Sequence, residues 1–205
     1  MTLNDIIYAA LRQLERGTDA QTVDKFRRVF TDYANSGQRR LANRFKVTRL
    51  ETVTLDDKGR FNVDSLERSC VLIEKITDGN GAVMSWGEIV TGLIEVANGA
   101  NADVNVYYRY MPREMSSPTD VPELPSYMHS AIPYYVVGCQ RCGSDADTQA
   151  TAGAHFDLFN REVSDIYSQH YASKDAFGHP LSATYCPSCL SSPRPLPWHN
   201  LLLYQ

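Results

Sequence analysis

Val106-Tyr107-Tyr108-Arg109-Tyr110-Met111-Pro112, then a polar loop, then Thr119-Asp120-Val121-Pro122-Glu123-Leu124-Pro125, is the stretch on which the fold turns. The aromatic and β-branched residues from Val106 to Tyr110 suit a pleated, half-buried sheet surface. Pro112 and Pro122 lack the N–H that regular structure requires, so the strand stops and no ladder continues across them. Pro125 carries the fixed φ favoured at a helix start, and the run through Met128, His129, Ala131, Ile132, Tyr134 and Tyr135 reads as a helix. The segment is a sheet-to-helix hinge with Pro112, Pro122 and Pro125 as its hinge residues.

Toward the N-terminus, Leu3, Ile6, Ile7, Ala10, Leu11 and Leu14 recur at helical spacing, with Gly17 expected to stop that helix. A second helix is expected from Asp19 or Thr22, carrying Phe26, Phe30, Tyr33, Gly37, Leu41 and Phe45 on one side. Gly37 permits close packing or a kink. From Lys46 the period becomes two, and Asp56-Asp57-Lys58-Gly59 supplies a turn, so residues 47–63 read as a hairpin. Cys70 to Thr77, Ala82 to Trp86, Ile89 to Val96 and Asn105 to Tyr110 extend the β pattern into a small antiparallel sheet or sandwich. The intervening Asp78-Gly79-Asn80-Gly81 and Asn98-Gly99-Ala100-Asn101 are turns, since neither has the strand-to-helix setting of a phosphate loop.

Toward the C-terminus, Ser126 to Cys142 reads as a third helix. A fourth starts at Ser144-Asp145-Ala146-Asp147, where acidic residues suit the helix dipole, and runs to His170. Beyond Tyr171 the prolines at 180, 187, 193, 195 and 197 exclude regular structure and leave an extended arm tipped by Trp198, Leu201, Leu202, Leu203 and Tyr204. The expected fold is α+β: a four-helix group with an inserted small antiparallel β-sheet or sandwich and an extended C-terminal arm. Its parts are N-terminal helices over 1–45, a β module over 46–111, hinge and C-terminal helices over 112–170, and the arm over 171–205.

Composition narrows the function class. The chain has 205 residues, 43% hydrophobic and 21% charged, which is ordinary for a globular protein. It has no apolar run near about 18 residues, and Met1-Thr2-Leu3-Asn4-Asp5 lacks the regions of a secretory signal, so a membrane partner and Sec export are disfavoured and synthesis in a cytoplasm is expected. A net charge of −4 argues against a dedicated nucleic-acid binder. Charge is nevertheless uneven: Arg27, Arg28, Arg39, Arg40, Arg44, Lys46 and Arg49 cluster in one segment, while Asp120, Glu123, Asp145, Asp147, Asp157, Glu162 and Asp165 make the later part acidic. Such polarity suits subunit contact or a basic surface near DNA, although a solvated helical face is the commoner explanation.

The sharpest chemical signal is the pair Cys139-x2-Cys142 with Cys186-x2-Cys189, a spacing at which each pair can supply half of a tetrahedral zinc site. Against zinc, the first pair falls inside a predicted helix, and the stretch between the pairs is longer than in common zinc modules. Cys186-Pro187-Ser188-Cys189 also has redox spacing but lacks the flanking strand and helix of a redox motif. His129, His155, His170, His179 and His199 show no metalloprotease pairing, Asp145 and Asp147 read as helix caps, and Tyr107, Tyr108, Tyr110, Tyr134 and Tyr135 as packing aromatics. No catalytic residue emerges.

Over roughly the first 170 residues, the element order and the hinge motif, Tyr107-Tyr108-Arg109-Tyr110-Met111-Pro112, a loop, Thr119 to Pro125 and the helix through His129, resemble the neck adaptor proteins of tailed bacteriophages, also called head completion or head-to-tail connector proteins. The resemblance implies a non-enzymatic virion protein at the capsid vertex below the portal, with neighbouring copies forming a twelve-fold ring. Its partners would be the portal protein, a downstream neck or tail protein, and genomic DNA passing through the lumen. On this reading Arg27, Arg28, Arg39, Arg40, Trp198, Leu201, Leu202, Leu203 and Tyr204 contact the portal or a neighbouring subunit. The paired cysteines are not a feature of that family. They and the arginines of the second helix support the alternative, a small zinc-containing regulatory or nucleic-acid-binding protein.

Overall fold

The computed structural model describes residues 1–143 and 146–170 and divides the chain into two units, Met1–Tyr167 and Ser168–Gln205. The arm at 171–205, with Cys186, Cys189, Trp198, Leu201, Leu202, Leu203 and Tyr204, lies outside the described residues, as do Ser144 and Asp145. The first unit is α+β, with helices α1 (Leu3–Gln13), α2 (Ala20–Phe45) and α3 (Ile132–Cys142), most of α4 (Ala146–His170), and two three-stranded antiparallel sheets.

Helix α1 begins in a capping box, with Asp5 N–H donating to Thr2 Oγ1 at 3.2 Å and Thr2 N–H to the Asp5 carboxylate at 2.8 Å. Those bonds hold the Asp5 carboxyl below its usual range. The stripe Leu3, Ile6, Ile7, Ala10 and Leu11 is buried, as its periodicity predicts. The expected stop at Gly17 is displaced: α1 ends at Gln13, and Glu15 takes the left-handed conformation at φ 55°. Helix α2 starts at its N-cap Asp19, which accepts from Thr22 N–H at 3.0 Å, and ends where Lys46 turns left-handed. Gly37 serves close packing, because a Cβ there would stand 3.2 Å from the Tyr135 ring and 3.4 Å from Ile132. Helix α3 thus packs against α2, burying Ile132, Val136 and Val137, and Tyr135 meets the rings of Phe156 and Phe159 on α4 at 5.8 and 5.3 Å.

The strands are β1 (Thr48–Thr54), β2 (Arg60–Asn62), β3 (Cys70–Thr77), β4 (Trp86–Val90), β5 (Leu93–Val96) and β6 (Asp103–Tyr110), ordered β1-β6-β3 in one sheet and β2-β5-β4 in the other. Leu55, Phe61, Ile73, Ile76, Ile94, Val96, Val104, Val106 and Tyr108 form the core between them. The hairpin expected over 47–63 does not form. The turn is present, with Gly59 N–H donating to Asp56 O at 3.0 Å, but it passes the chain from one sheet to the other. The β6 strand offers β1 a full-length partner with Val104, Val106 and Tyr108 on its buried face, which the short β2 cannot match. The expected strand over 89–96 is likewise two strands, split at Gly92, whose φ of +82° makes the turn. Gly87 lies inside β4 rather than between strands, and the expected strand over 82–86 contributes an isolated bridge between Val83 and Thr77.

Candidate functional site

The loop that leaves β6 at Met111 and reaches the short 3-10 helix Ser126–Ala131 joins the sandwich to the helices, and three sets of bonds hold it. Toward α2, the Asn35 side chain pairs with the Met115 backbone like a neighbouring strand, its Nδ2 donating to Met115 O at 3.0 Å and its Oδ1 accepting from Met115 N–H at 2.8 Å. Gln38 adds a 2.7 Å bond to Arg113 O, and both amides are buried in mid-helix. Toward α1, Asp120 O and Pro118 O accept from Leu3 and Asn4 N–H at 2.7 and 3.0 Å, satisfying first-turn donors that the helix cannot. Asp120 itself accepts from Ser116 and Ser117 N–H, both at 2.7 Å, and these bonds hold its carboxyl below the usual range.

Toward the sandwich, the contacts are ionic. Glu123 accepts from Arg68 Nε at 2.7 Å and from Arg113 N–H at 3.0 Å, and Arg49 stands 3.7 Å away. Arg68 also bonds Glu67, which pairs with Arg49, while Glu67 N–H donates to Glu51. The hydrogen bond to Glu123 strengthens the Arg68 cation further. Tyr110 Oη donates to Glu123 O at 2.9 Å and Tyr108 Oη to Glu51 at 2.8 Å, and burial raises both phenols. Two open grooves of about 440 and 330 Å³ flank the loop and share Arg68, Arg113 and Glu114. Pro112 and Pro122 are buried and Pro125 occupies the N-cap position, so the three hinge prolines shape a pinned junction.

His129, given no role in the sequence reading, is the polar residue that closes this junction. It is buried, with Nε2 at 2.9 Å from Leu124 O and Nδ1 at 3.4 Å from the Met1 ammonium. A carbonyl only accepts, so Nε2 carries the hydrogen and Nδ1 accepts. Burial pulls the imidazole below its ordinary value, with the neighbouring ammonium adding to the effect against the Leu124 bond.

The other anticipated residues separate. Cys139 and Cys142 lie three residues apart near the end of α3, and burial pushes the Cys139 thiol up. Among the described residues no group of three or more metal-ligating side chains comes together. Arg27 is paired with Asp24 at 3.2 Å and Arg39 with Glu114 at 2.8 Å, whereas Arg28 and Arg40 face solvent, the latter 5.9 Å over the Tyr135 ring. No helix among the described residues is long and apolar enough to cross a membrane.

Sequence reasoning placed Trp86 and Ile89–Val90 in strands but missed that they form one exposed strand, β4. All five of its residues are exposed, and with Val83 it presents Trp86, Ile89 and Val90, of which Val83 is 73% and Val90 60% accessible. As the outer strand of its sheet it leaves one side of its backbone without a strand partner among the described residues. The outer face of the other sheet is more mixed, with Thr52 on Asn105, Thr54 on Asp103, and Glu74 accepting from Thr48 and Arg109 beside exposed Leu50 and Leu72. The signal available was the loss of strict alternation at Trp86-Gly87-Glu88-Ile89-Val90, which no single buried face could satisfy. Compared with protein-family models and with curated proteins, the chain matches none.

Proposed function

We propose that this chain is a structural adaptor of a tailed-phage neck, one copy of a ring that joins the portal to the next neck or tail protein and leaves a passage for the genome. The observation that carries the reading is β4, an apolar edge strand with no strand partner on one side among the described residues. Exposed apolar edges of this kind are docking surfaces or aggregation hazards. The sheet side then meets the downstream protein, while the helices meet neighbouring copies and the portal. A junction bonded on three sides suits such a role, since a docking face must keep its angle to the body that anchors it. Arg27 and Arg39, engaged within the chain, become poor contact candidates. The apolar tip Trp198 to Tyr204 serves as a further attachment, so truncation after Pro197 is expected to weaken portal binding and to leave the far-UV spectrum of the helices and sheets intact.

Electron microscopy of purified virions or portal-neck complexes tests the proposal. A ring of this chain between portal and tail is the expected result, and its absence from the neck ends the reading whatever else the chain binds. The second reading, a zinc-containing regulatory or nucleic-acid-binding protein, draws on Cys139 and Cys142 lying at i and i+3 of one helix, where neighbouring side chains share a face. It requires about one zinc per chain, lost in C186S/C189S. Metal analysis of the purified full chain decides it.

A further inference from the structure

We propose that the solvent face of α2 is a phosphate-binding surface for duplex nucleic acid. The buried side of α2, with Val23, Phe30, Ala34, Asn35, Gln38, Leu41 and Phe45, fixes which residues look outward. Among the outward ones Lys25, Arg28, Arg40 and Arg44 are exposed, and Lys46 follows at the C-cap. Acidic compensation is thin: Asp24 is held by Arg27, Glu114 by Arg39, and Glu74, which neighbours Lys46, by Arg109, while Asp32 stands among these cations on α2 itself. In a chain of net charge −4, α2 carries six Lys and Arg against two Asp.

Arg44 and Lys46 could be placed there by the helix dipole, which favours cations at a C-terminus. Lys25 and Arg28 sit in the N-terminal half, where the dipole gives no such reason. Several of these side chains are also held in position, Lys25 5.8 Å over the Phe26 ring beside Arg16 at 6.0 Å, and Arg40 over Tyr135. At 1.5 Å and about 100° per residue, Arg28 and Arg44 stand about 24 Å apart along the axis and on opposite flanks of the outward half of α2, with Lys25 and Arg40 between them around the helix. One carboxylate or free phosphate would engage a single member of such a stripe, whereas duplex DNA presents a charge every ~1.7 Å along its axis. A protein partner would need an apolar centre as well. The face offers Val29, 40% exposed, and otherwise polar or charged side chains, so nucleic acid fits better than an acidic protein. The expected binding is non-specific, because phosphate contacts carry no sequence information.

The test uses the full chain and a duplex of about 20 base pairs, with anisotropy measured between about 50 and 200 mM salt. Three to four phosphate contacts predict a log–log salt slope of roughly −3. R28E/R44E should lose at least about tenfold in affinity at the low-salt end and flatten the slope by about 2. R28Q/R44Q supplies a milder version should charge reversal disturb folding, which circular dichroism reports, and K58E in the β1–β2 turn is expected to bind like wild type. Absence of binding at about 50 mM salt, or R28E/R44E and R28Q/R44Q binding as tightly as wild type, overturns the assignment. So does tighter binding to poly-glutamate than to the duplex at matched charge, which would point to an acidic protein partner. The assignment does not rest on the neck reading: the isolated chain is measured, and ring formation can fail without affecting the result.

Discussion

The junction loop is held on its α2 side by two buried neutral amides and one exposed ion pair, Arg39 with Glu114, and on its sandwich side by a cluster of charges. Asn35 and Gln38 are buried and make short directional bonds to backbone atoms of Arg113 and Met115. Around Glu123, by contrast, Arg49, Arg68 and Glu67 keep part of their surface in solvent, the Glu67 side chain being 51% exposed. The two arrangements answer to different conditions. A buried amide pair fails when its partner atoms are stranded, whatever the salt, while a partly exposed ionic cluster weakens as ions screen it.

The largest effect is expected from Asn35→Leu, which strands the Met115 N–H and C=O and removes an acceptor from Gln38. A loss of about 3 kcal/mol, equal at low and high salt, is anticipated in urea unfolding. A loss below about 1 kcal/mol would show that the loop relaxes and that the amide side is not the firm one. Glu123→Gln, which weakens the bonds from Arg68 and Arg113, should cost about 1–2 kcal/mol near physiological salt and about half that in ~1 M NaCl. An identical cost at both salt concentrations would remove the distinction between the two sides.

A gentler effect lies in the pH dependence. His129 belongs with the neutral side while uncharged and would join the charged side on protonation. Its folded pKa is depressed, so above about pH 6.5 the ring is neutral folded and unfolded and carries no penalty. As the pH falls through 6.5 the unfolded ring takes up a proton that the buried ring resists, and stability declines until the folded pKa is passed. Melting temperatures between about pH 5 and 7.5 should show this slope in wild type and a flatter one in His129→Gln. Parallel profiles would mean that His129 is not the titrating group. The smallest change is expected from Ile89→Thr/Val90→Thr on β4, within about 0.5 kcal/mol of wild type, because neither side chain supports the core. A substantial loss there would mean that β4 helps to hold the sandwich, and the docking argument would lose its main support.

The start of α2 was legible in the sequence. Asp19 with Thr22 is a bond between residues three apart, so capping preference and helical period locate it without tertiary help, whereas the equally local Thr2–Asp5 box went unread and α3 begins at Ile132, after a 3-10 helix over Ser126–Ala131, rather than at Ser126. The junction was half legible: the prolines mark where regular structure stops, but nothing in their spacing says that Asn35, 80 residues before Met115, supplies the bonds that hold the loop. His129 was unreadable for the same reason, since its partners are a loop carbonyl and the Met1 ammonium 128 residues away.

By itself, the sequence determined the α+β class, α1 and α2 with their buried stripes, the strands β3 and β6, and the passage from sheet to helix near Pro112 and Pro125. Each follows from side-chain periodicity or from bonds within a few residues. Only the tertiary structure decided that β1 pairs with β6 instead of β2, that β4 is left exposed, and that a mid-helix amide pair fastens the junction. Those outcomes are competitions between distant segments for one partner. They are settled by which face is longer and more apolar, and by which buried N–H and C=O would otherwise go unpaired.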